Sequence, residues 1–184
     1  MGEVDAARWA HDDEQHAWWV EPGQLLAGEY PIDGHGRPRK LELLVDAGIR
    51  SFVDLTGPDD RLRPYTEELA QVAAARRVEV AHRRFPIPDM GVIDEPGYVD
   101  IDGAIDEELA AARPVFVHCW GGVGRTGTVV GCWLIAHGTA PVDVLDAIEG
   151  RRAGSRKANR PAPETWTQRD LLRTFTWPPG DARG

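Results

Sequence analysis

A short apolar run, Pro114-Val115-Phe116-Val117, leads into His118-Cys119-Trp120-Gly121-Gly122-Val123-Gly124-Arg125-Thr126-Gly127. From Arg125 to His137 the chain is then apolar on nearly every face, through Val129, Val130, Cys132, Trp133, Leu134 and Ile135. An apolar run bounded by proline reads as a buried strand. A helix with no wide polar face belongs in the middle of a domain, with other layers around it. Strand, glycine-rich loop and buried helix therefore constrain the fold more than any other stretch.

The same order makes the loop a helix N-terminus, where unpaired N–H groups and the positive end of the helix dipole converge. An anion belongs there. The glycines let the backbone wrap with its amides turned inward, a nest that side chains would obstruct. Arg125 adds a planar fork of donors suited to two phosphoryl oxygens. Such surroundings are expected to pull the Cys119 thiol from about 8.5 into the range of roughly 3.5–7.5 found for activated thiols. The ordinary reading, an inert buried cysteine, does not account for Arg125 and the glycines together. A nucleotide-binding Walker loop over Gly122 to Thr128 fails because Thr128 stands where lysine is required.

These residues resemble the Cys-x5-Arg-Ser/Thr signature of the protein tyrosine phosphatase superfamily, in its compact dual-specificity branch. The Trp-Gly-Gly-Val-Gly filling is most similar to the loop of kinase-associated phosphatases and their bacterial relatives. Phe85-Pro86-Ile87-Pro88-Asp89-Met90-Gly91 resembles that family's general-acid loop, and Pro163-Glu164-Thr165-Trp166-Thr167-Gln168 the glutamine loop of its larger members. A rhodanese-like sulfur transferase also uses a cradled cysteine, yet needs no such acid loop. The resemblance runs over about Gln24 to Phe175.

What it implies is a cysteine-dependent phosphatase for phosphotyrosine, with phosphoserine and phosphothreonine as further substrates, working through a phosphocysteine intermediate. The phosphate-binding loop is Cys119, Trp120, Gly121, Gly122, Val123, Gly124 and Arg125. Cys119 is the nucleophile, Arg125 holds the phosphoryl oxygens, and Asp89, on a loop stiffened by Pro86 and Pro88 and hinged at Gly91, is the general acid. Thr126 either stabilises the departing thiolate or makes a helix N-terminal hydrogen bond. His118 is structural, its ring bonding backbone behind the loop. Gln168 is an auxiliary residue by resemblance, with a helix-surface glutamine as the alternative. Asp54, Asp59, Asp60, Asp94, Glu95, Asp100 and Asp102 are competing acids, set aside because the Pro-Asp-x-Gly match is local to Asp89.

Partners expected are a phosphorylated protein or peptide and phosphate- or sulfate-like anions in the loop. No lysine or second arginine lies between Cys119 and Arg125, which counts against a phosphoinositide or other small phosphate-ester phosphatase. A phosphate-binding interaction module without turnover is the further alternative. The basic run Arg151, Arg152, Arg156, Lys157 and Arg160 meets either an acidic ligand or solvent. No metal and no cofactor are expected: His11-Asp12-Asp13-Glu14-Gln15-His16 has no repeated ligand framework and reads as a loose acidic tail.

With 184 residues and 42% hydrophobic content, the chain supports one domain. A net charge of −9 argues against nucleic acid. No apolar stretch approaches the roughly eighteen residues of a membrane span, and Met1 to Asp5 is no secretion leader. A cytoplasmic enzyme is expected, and its two cysteines make no disulfide framework, Cys132 reading as a core residue. Strands are expected at Gln24–Tyr30, Arg50–Leu55, Val78–Phe85 and Val115–Val117. Helices are expected around Leu41–Val45 with a stop at Gly48, Tyr65–Val72, Tyr98–Ala112, Arg125–His137, Pro141–Glu149 and Glu164–Phe175, with Gly34 to Pro38 as a break. Alternating strands and helices imply an α/β fold: a single three-layer domain, its central, mostly parallel twisted sheet flanked by helices. The expected organisation is an acidic, otherwise loose N-terminal arm over 1–20 that Trp18-Trp19 anchors onto the body, a catalytic domain over 21–176 and a flexible tail over 177–184.

Overall fold

The computed structural model describes residues 8–32 and 38–177. Five strands form one sheet: β1 (Ala17–Glu21), β2 (Leu25–Gly28), β3 (Ser51–Asp54), β4 (Ala81–Arg84) and β5 (Val115–His118), in spatial order β1-β2-β5-β3-β4. Only β1 runs antiparallel to its neighbour. The helices are α1 (Arg39–Asp46), α2 (Thr66–Arg76), α3 (Glu95–Ala110), α4 (Gly124–Ala136), α5 (Val144–Arg152) and α6 (Trp166–Thr174).

Side chains alternate across each strand, so the sheet separates two cores. Leu26, Phe116 and Phe52 align across β2, β5 and β3 and meet Leu41, Leu44, Leu69 and Val72 of α1 and α2. On the other face, Ala27, Val117 and Val53 meet Ile101 and Ile105 of α3, Val129 and Val130 of α4, Ile148 of α5 and Leu172 of α6. The result is the expected three-layer α/β domain. Central β5 is buried along its length, which is why it reads as continuous rather than alternating apolar sequence.

Helix starts follow local chemistry. Asp94 caps α3 by accepting from the Gly97 N–H at 3.2 Å, with Pro96 in the first turn. Thr165 and Gln168 form a capping box at α6. Gly48, at φ +96, takes the left-handed position just past α1. The helix expected to reach Ala112 stops at Ala110, and Ala112 itself is left-handed at φ +55.

The N-terminal arm needs correction. A boundary at residue 20 cuts through β1, and residues 8–20 are built into the domain. Trp9, Trp18, Gln15 and His16 are buried. Asp12 and His16, read as a loose tail, pair at 2.8 Å, and Asp12 also accepts from the Arg156 backbone N–H. Burial of the two tryptophans outweighs the arm's polar composition, each aromatic carrying a large apolar area. The break at 34–37, residues 1–7 and the tail beyond Trp177 lie outside the described residues.

Candidate active site

The parallel strands end side by side at Gly28, His118 and Asp54, with Arg84 beside Asp54. The loop from Cys119 to Arg125 starts at the carboxyl end of β5, the edge where open α/β sheets bind ligands, and α4 begins inside it at Gly124. The segment after β2 backs the loop. Tyr30 donates its N–H to the Trp120 carbonyl at 2.9 Å. Gly122 holds φ +69, and a Cβ there would lie 2.4 Å from the carbonyl carbon of Gly28. Only glycine fits.

Cys119, Trp120, Gly121, Gly124 and Arg125 line a cleft of about 400 Å³ together with Asp89, Met90 and Gln168. Glu29, Lys157, Arg160 and Glu164 complete its wall. Arg125 is buried, and its guanidinium lies between two carboxylates. Asp60 accepts from Nη1 and Nη2, both at 2.8 Å, and Asp89 Oδ1 lies 3.0 Å from Nη2. The Ile87 carbonyl accepts from Nη1 at 3.1 Å. Burial works against the charge of Arg125, but its bonds to Asp60 raise the pKa above the ordinary value. Burial likewise opposes the Asp60 charge, and Arg125 overrides it and lowers the pKa.

Asp89 is exposed on a tight turn, in which the Gly91 N–H donates to the Pro88 carbonyl at 3.0 Å and Met90 is left-handed at φ +60. That turn is anchored at both ends. Buried Ile87 donates its N–H to the Leu55 carbonyl at 3.1 Å, and Gln168 Nε2 donates to the Gly91 carbonyl at 3.1 Å. Gln168 is fully buried, and its Oε1 accepts from the N–H groups of Glu164 and Thr165, both at 3.1 Å. It is therefore no surface glutamine: it braces the turn that carries Asp89.

His118 lies behind the loop. Its Nδ1 is 3.3 Å from the Cys119 carbonyl and its Nε2 is 2.6 Å from the Tyr65 hydroxyl. A carbonyl only accepts, so Nδ1 carries the proton, Nε2 accepts, and Tyr65 donates. Burial pushes the pKa of His118 down to about 4, keeping the ring neutral. The Thr126 hydroxyl donates to the Gly28 carbonyl at 3.5 Å. The Trp120 ring stands 57% exposed at the mouth of the cleft, pointing away from the core.

Among the competing acids, Asp54 is a buried structural carboxylate bonded to Thr56 and Arg84, and Asp94 is a helix cap. Asp60 is the one that reaches the site, as the partner of Arg125. Nothing in Gly57-Pro58-Asp59-Asp60 distinguishes the two aspartates by sequence. A 3₁₀ turn over Pro58–Asp60 turns the second inward. The basic run is structural along much of its length. Arg152 is buried and donates to the carbonyls of Lys157 and Arg160, and Lys157 donates to the Gly121 carbonyl at 2.8 Å. Among the described residues no group of three or more histidine, cysteine or acidic side chains could hold a metal ion, and no helix is long and apolar enough to cross a membrane.

Residues 14–175 match the model of the DSP-PTPase phosphatase domain of Swiss Army Knife proteins. The phosphatidylglycerophosphate phosphatase PTPMT2 of Arabidopsis thaliana is 28% identical over 127 residues, which are 67% of this chain and 50% of that protein. The tyrosine-protein phosphatase CDC14 homolog of Schizosaccharomyces pombe is 26% identical over 130 residues, 64% of this chain and 22% of that protein. The chain thus spans half or less of the length of these curated relatives. The crystal structure of Tk-PTP in its active form superposes with a TM-score of 0.65 at 26% identity, covering 85% of this chain and 93% of that one. With a matched catalytic domain over most of its length, a parallel sheet ending at a Cys-x5-Arg loop and the same layered fold, the chain belongs to the DSP-PTPase branch of the protein tyrosine phosphatase superfamily.

Proposed function

We propose that the chain hydrolyses phosphate monoesters, phosphotyrosine among them, through a phosphocysteine intermediate. The observation that carries this reading is the arrangement of Arg125. Its guanidinium is fixed by Asp60, faces the cleft that holds Cys119, and meets Asp89 across it. A substrate phosphate entering the loop gains the Arg125 N–H groups that Asp60 and Ile87 do not hold, and the N-terminal amides of α4. Cys119 sulfur attacks phosphorus in line, the phosphorus–oxygen bond to the leaving group breaks, and the leaving oxygen takes its proton from Asp89. Water then attacks phosphorus, Asp89 takes the proton back, and the thiolate departs. The Thr126 contact with Gly28 is long enough to be exchanged for one with that thiolate. Gln168 holds the turn that carries the acid.

Exposed Trp120 and Met90 give the rim two apolar walls suited to an aromatic ester. A second substrate reading, a small ester with further negative charge, is favoured by Lys157 and Arg160. They bring into the cleft the cations that the loop itself lacks, and PTPMT2 acts on such an ester by name. Both thiols are free, which suits the cytoplasm, where a nucleophilic cysteine stays reduced.

Phosphate release from an aryl phosphate by wild type, abolished in Cys119→Ser, is the expected result. Binding of phosphate without release by wild type would reduce the chain to a phosphate-binding interaction module. Asp89→Asn should slow turnover of an alkyl phosphate ester about 10²- to 10⁴-fold. Unchanged turnover would remove Asp89 from the mechanism.

A further inference from the structure

Beside the loop, the cleft wall carries positive charge that hydrolysis of a simple monoester does not use. Glu29, just past β2, receives three cations: Lys40 Nζ at 2.8 Å, Arg156 Nη2 at 3.0 Å and Lys157 Nζ at 2.7 Å. Glu29 is one carboxylate among three cations, and even with Asp12 on the Arg156 backbone N–H the group carries net positive charge, in a chain whose net charge is −9. The Glu29 carboxyl is already fully ionised. Burial works to raise its pKa, but Lys157 and Lys40 hold it at about 2. It has no further negative charge to give.

The side chains of Lys40 and Lys157 are 20% exposed and that of Glu29 is 13% exposed, so their charges are screened less than those of free surface groups. Like charges held together repel, and here three of them share one carboxylate, which also accepts the His16 N–H at 3.2 Å. Of the three, Lys157 lines the cleft of the loop and Lys40 lines an adjoining pocket that shares Glu29 and Trp120 with it; a concentration of one sign beside a cleft attracts and holds a ligand of the other sign. Lys157 links this cluster to the phosphate cradle. The ammonium that binds Glu29 also donates to the Gly121 carbonyl at 2.8 Å, and it lines the cleft shared by Cys119 and Arg125.

Resting on the phosphatase reading, we propose that Lys40, Arg156 and Lys157, gathered on Glu29, form a second anion subsite. It selects phosphate monoesters that carry another phosphate or phosphodiester group a few bonds from the one being cleaved. Lys157 touches the loop itself, so the second anion sits directly beside the first. A small polyol skeleton meets that spacing. In a peptide the second phosphate rides on a different side chain, separated by at least one 3.8 Å backbone step and two side-chain lengths. The same chemistry occurs in a free polyol bisphosphate and in a lipid headgroup.

Calorimetric binding to the Cys119→Ser protein tests the subsite without relying on turnover. The probes are inositol monophosphate, a soluble inositol bisphosphate, phosphatidylinositol monophosphate in phosphatidylcholine vesicles and a doubly phosphorylated peptide. The bisphosphate is expected to bind about tenfold more tightly than the monophosphate, the gain from roughly one charge-assisted hydrogen bond. Lys40→Met and Arg156→Met, each made in the Cys119→Ser protein, should each shrink that ratio severalfold. Two separate positions in the Glu29 cluster guard against one variant folding poorly. Tighter binding to vesicles than to the soluble bisphosphate supports the subsite with a lipid source, and equal binding supports it with a free polyol source. The proposal is overturned if bisphosphate and monophosphate bind alike, if the ratio survives in both variants, or if the doubly phosphorylated peptide binds more tightly than the bisphosphate. Any of these leaves the phosphatase reading intact, because that reading is tested separately by release from an aryl phosphate.

Discussion

Replacing Asp60 by asparagine removes a negative charge from a pair in which the arginine side chain is 1% and the carboxylate 4% exposed. Two hydrogen bonds of 2.8 Å are at stake, and the same carboxylate accepts the Gly57 N–H at 2.7 Å. Breaking a buried ion pair from one side costs about 3–5 kcal/mol, because the remaining charge is left uncompensated. Arg125 keeps the Ile87 carbonyl at 3.1 Å and the exposed Asp89 at 3.0 Å, and the asparagine keeps one oxygen. The loss should therefore fall at or just below the low end of that range, about 2–3 kcal/mol. Urea unfolding read from the transition midpoint at constant slope measures it. Orthophosphate at a hundredfold above its dissociation constant stabilises a binding-competent protein by about 2.7 kcal/mol. The Asp60→Asn deficit should narrow under that condition, since the bound dianion restores negative charge next to Arg125. Asp59→Asn, at the exposed neighbouring position, serves as control. A shift for Asp60→Asn of less than about 0.5 kcal/mol, the size of an ordinary surface substitution, would refute the view that Asp60 holds the arginine.

Gly122→Ala should destabilise the domain by more than about 2 kcal/mol and abolish phosphate binding, because backbone strain at positive φ adds to a clash with the Gly28 and Glu29 backbone. Gly121→Ala, with no atom within 4 Å of the added carbon, should unfold at nearly the wild-type urea midpoint. Stability should also fall with acidification. His118 is neutral in the fold with a pKa of about 4, whereas an unfolded histidine titrates near 6.5. The unfolded chain thus binds the extra proton between those values, and the stabilisation is complete above pH 6.5 and lost as pH drops toward 4. The full effect is about 3 kcal/mol. Urea midpoints from pH 4 to 7 should decline less steeply in His118→Asn; equal slopes would place the pH dependence elsewhere.

The loop was legible because its chemistry is local. A cysteine, an arginine and the glycines that let the backbone turn lie within one strand–loop–helix unit. Most helices were legible because burial on one face leaves its period in the sequence, and the inner strands because burial on both faces leaves a short run between breaks. Strand β1 was not. Ala17-Trp18-Trp19-Val20 places large side chains on both faces of an edge strand, and an acidic lead-in hides the burial of Trp9 and His16. The basic run was ambiguous because charge composition does not say which carbonyls and carboxylates a side chain will reach. Arg152 turns inward to hold its own loop, while Lys157 turns toward Glu29 and Gly121.

By itself the sequence determined the three-layer architecture and the cysteine-to-arginine loop, since both follow from side-chain periodicity and from residues adjacent along the chain. The tertiary structure decided which distant charges meet there. Asp60 arrives from a 3₁₀ turn, Asp89 from a turn braced by Gln168, and Lys157 with Glu29 from opposite ends of the chain. Two neighbouring aspartates are chemically equivalent as letters, and only the fold, by burying one against Arg125 and leaving the other in water, makes them different.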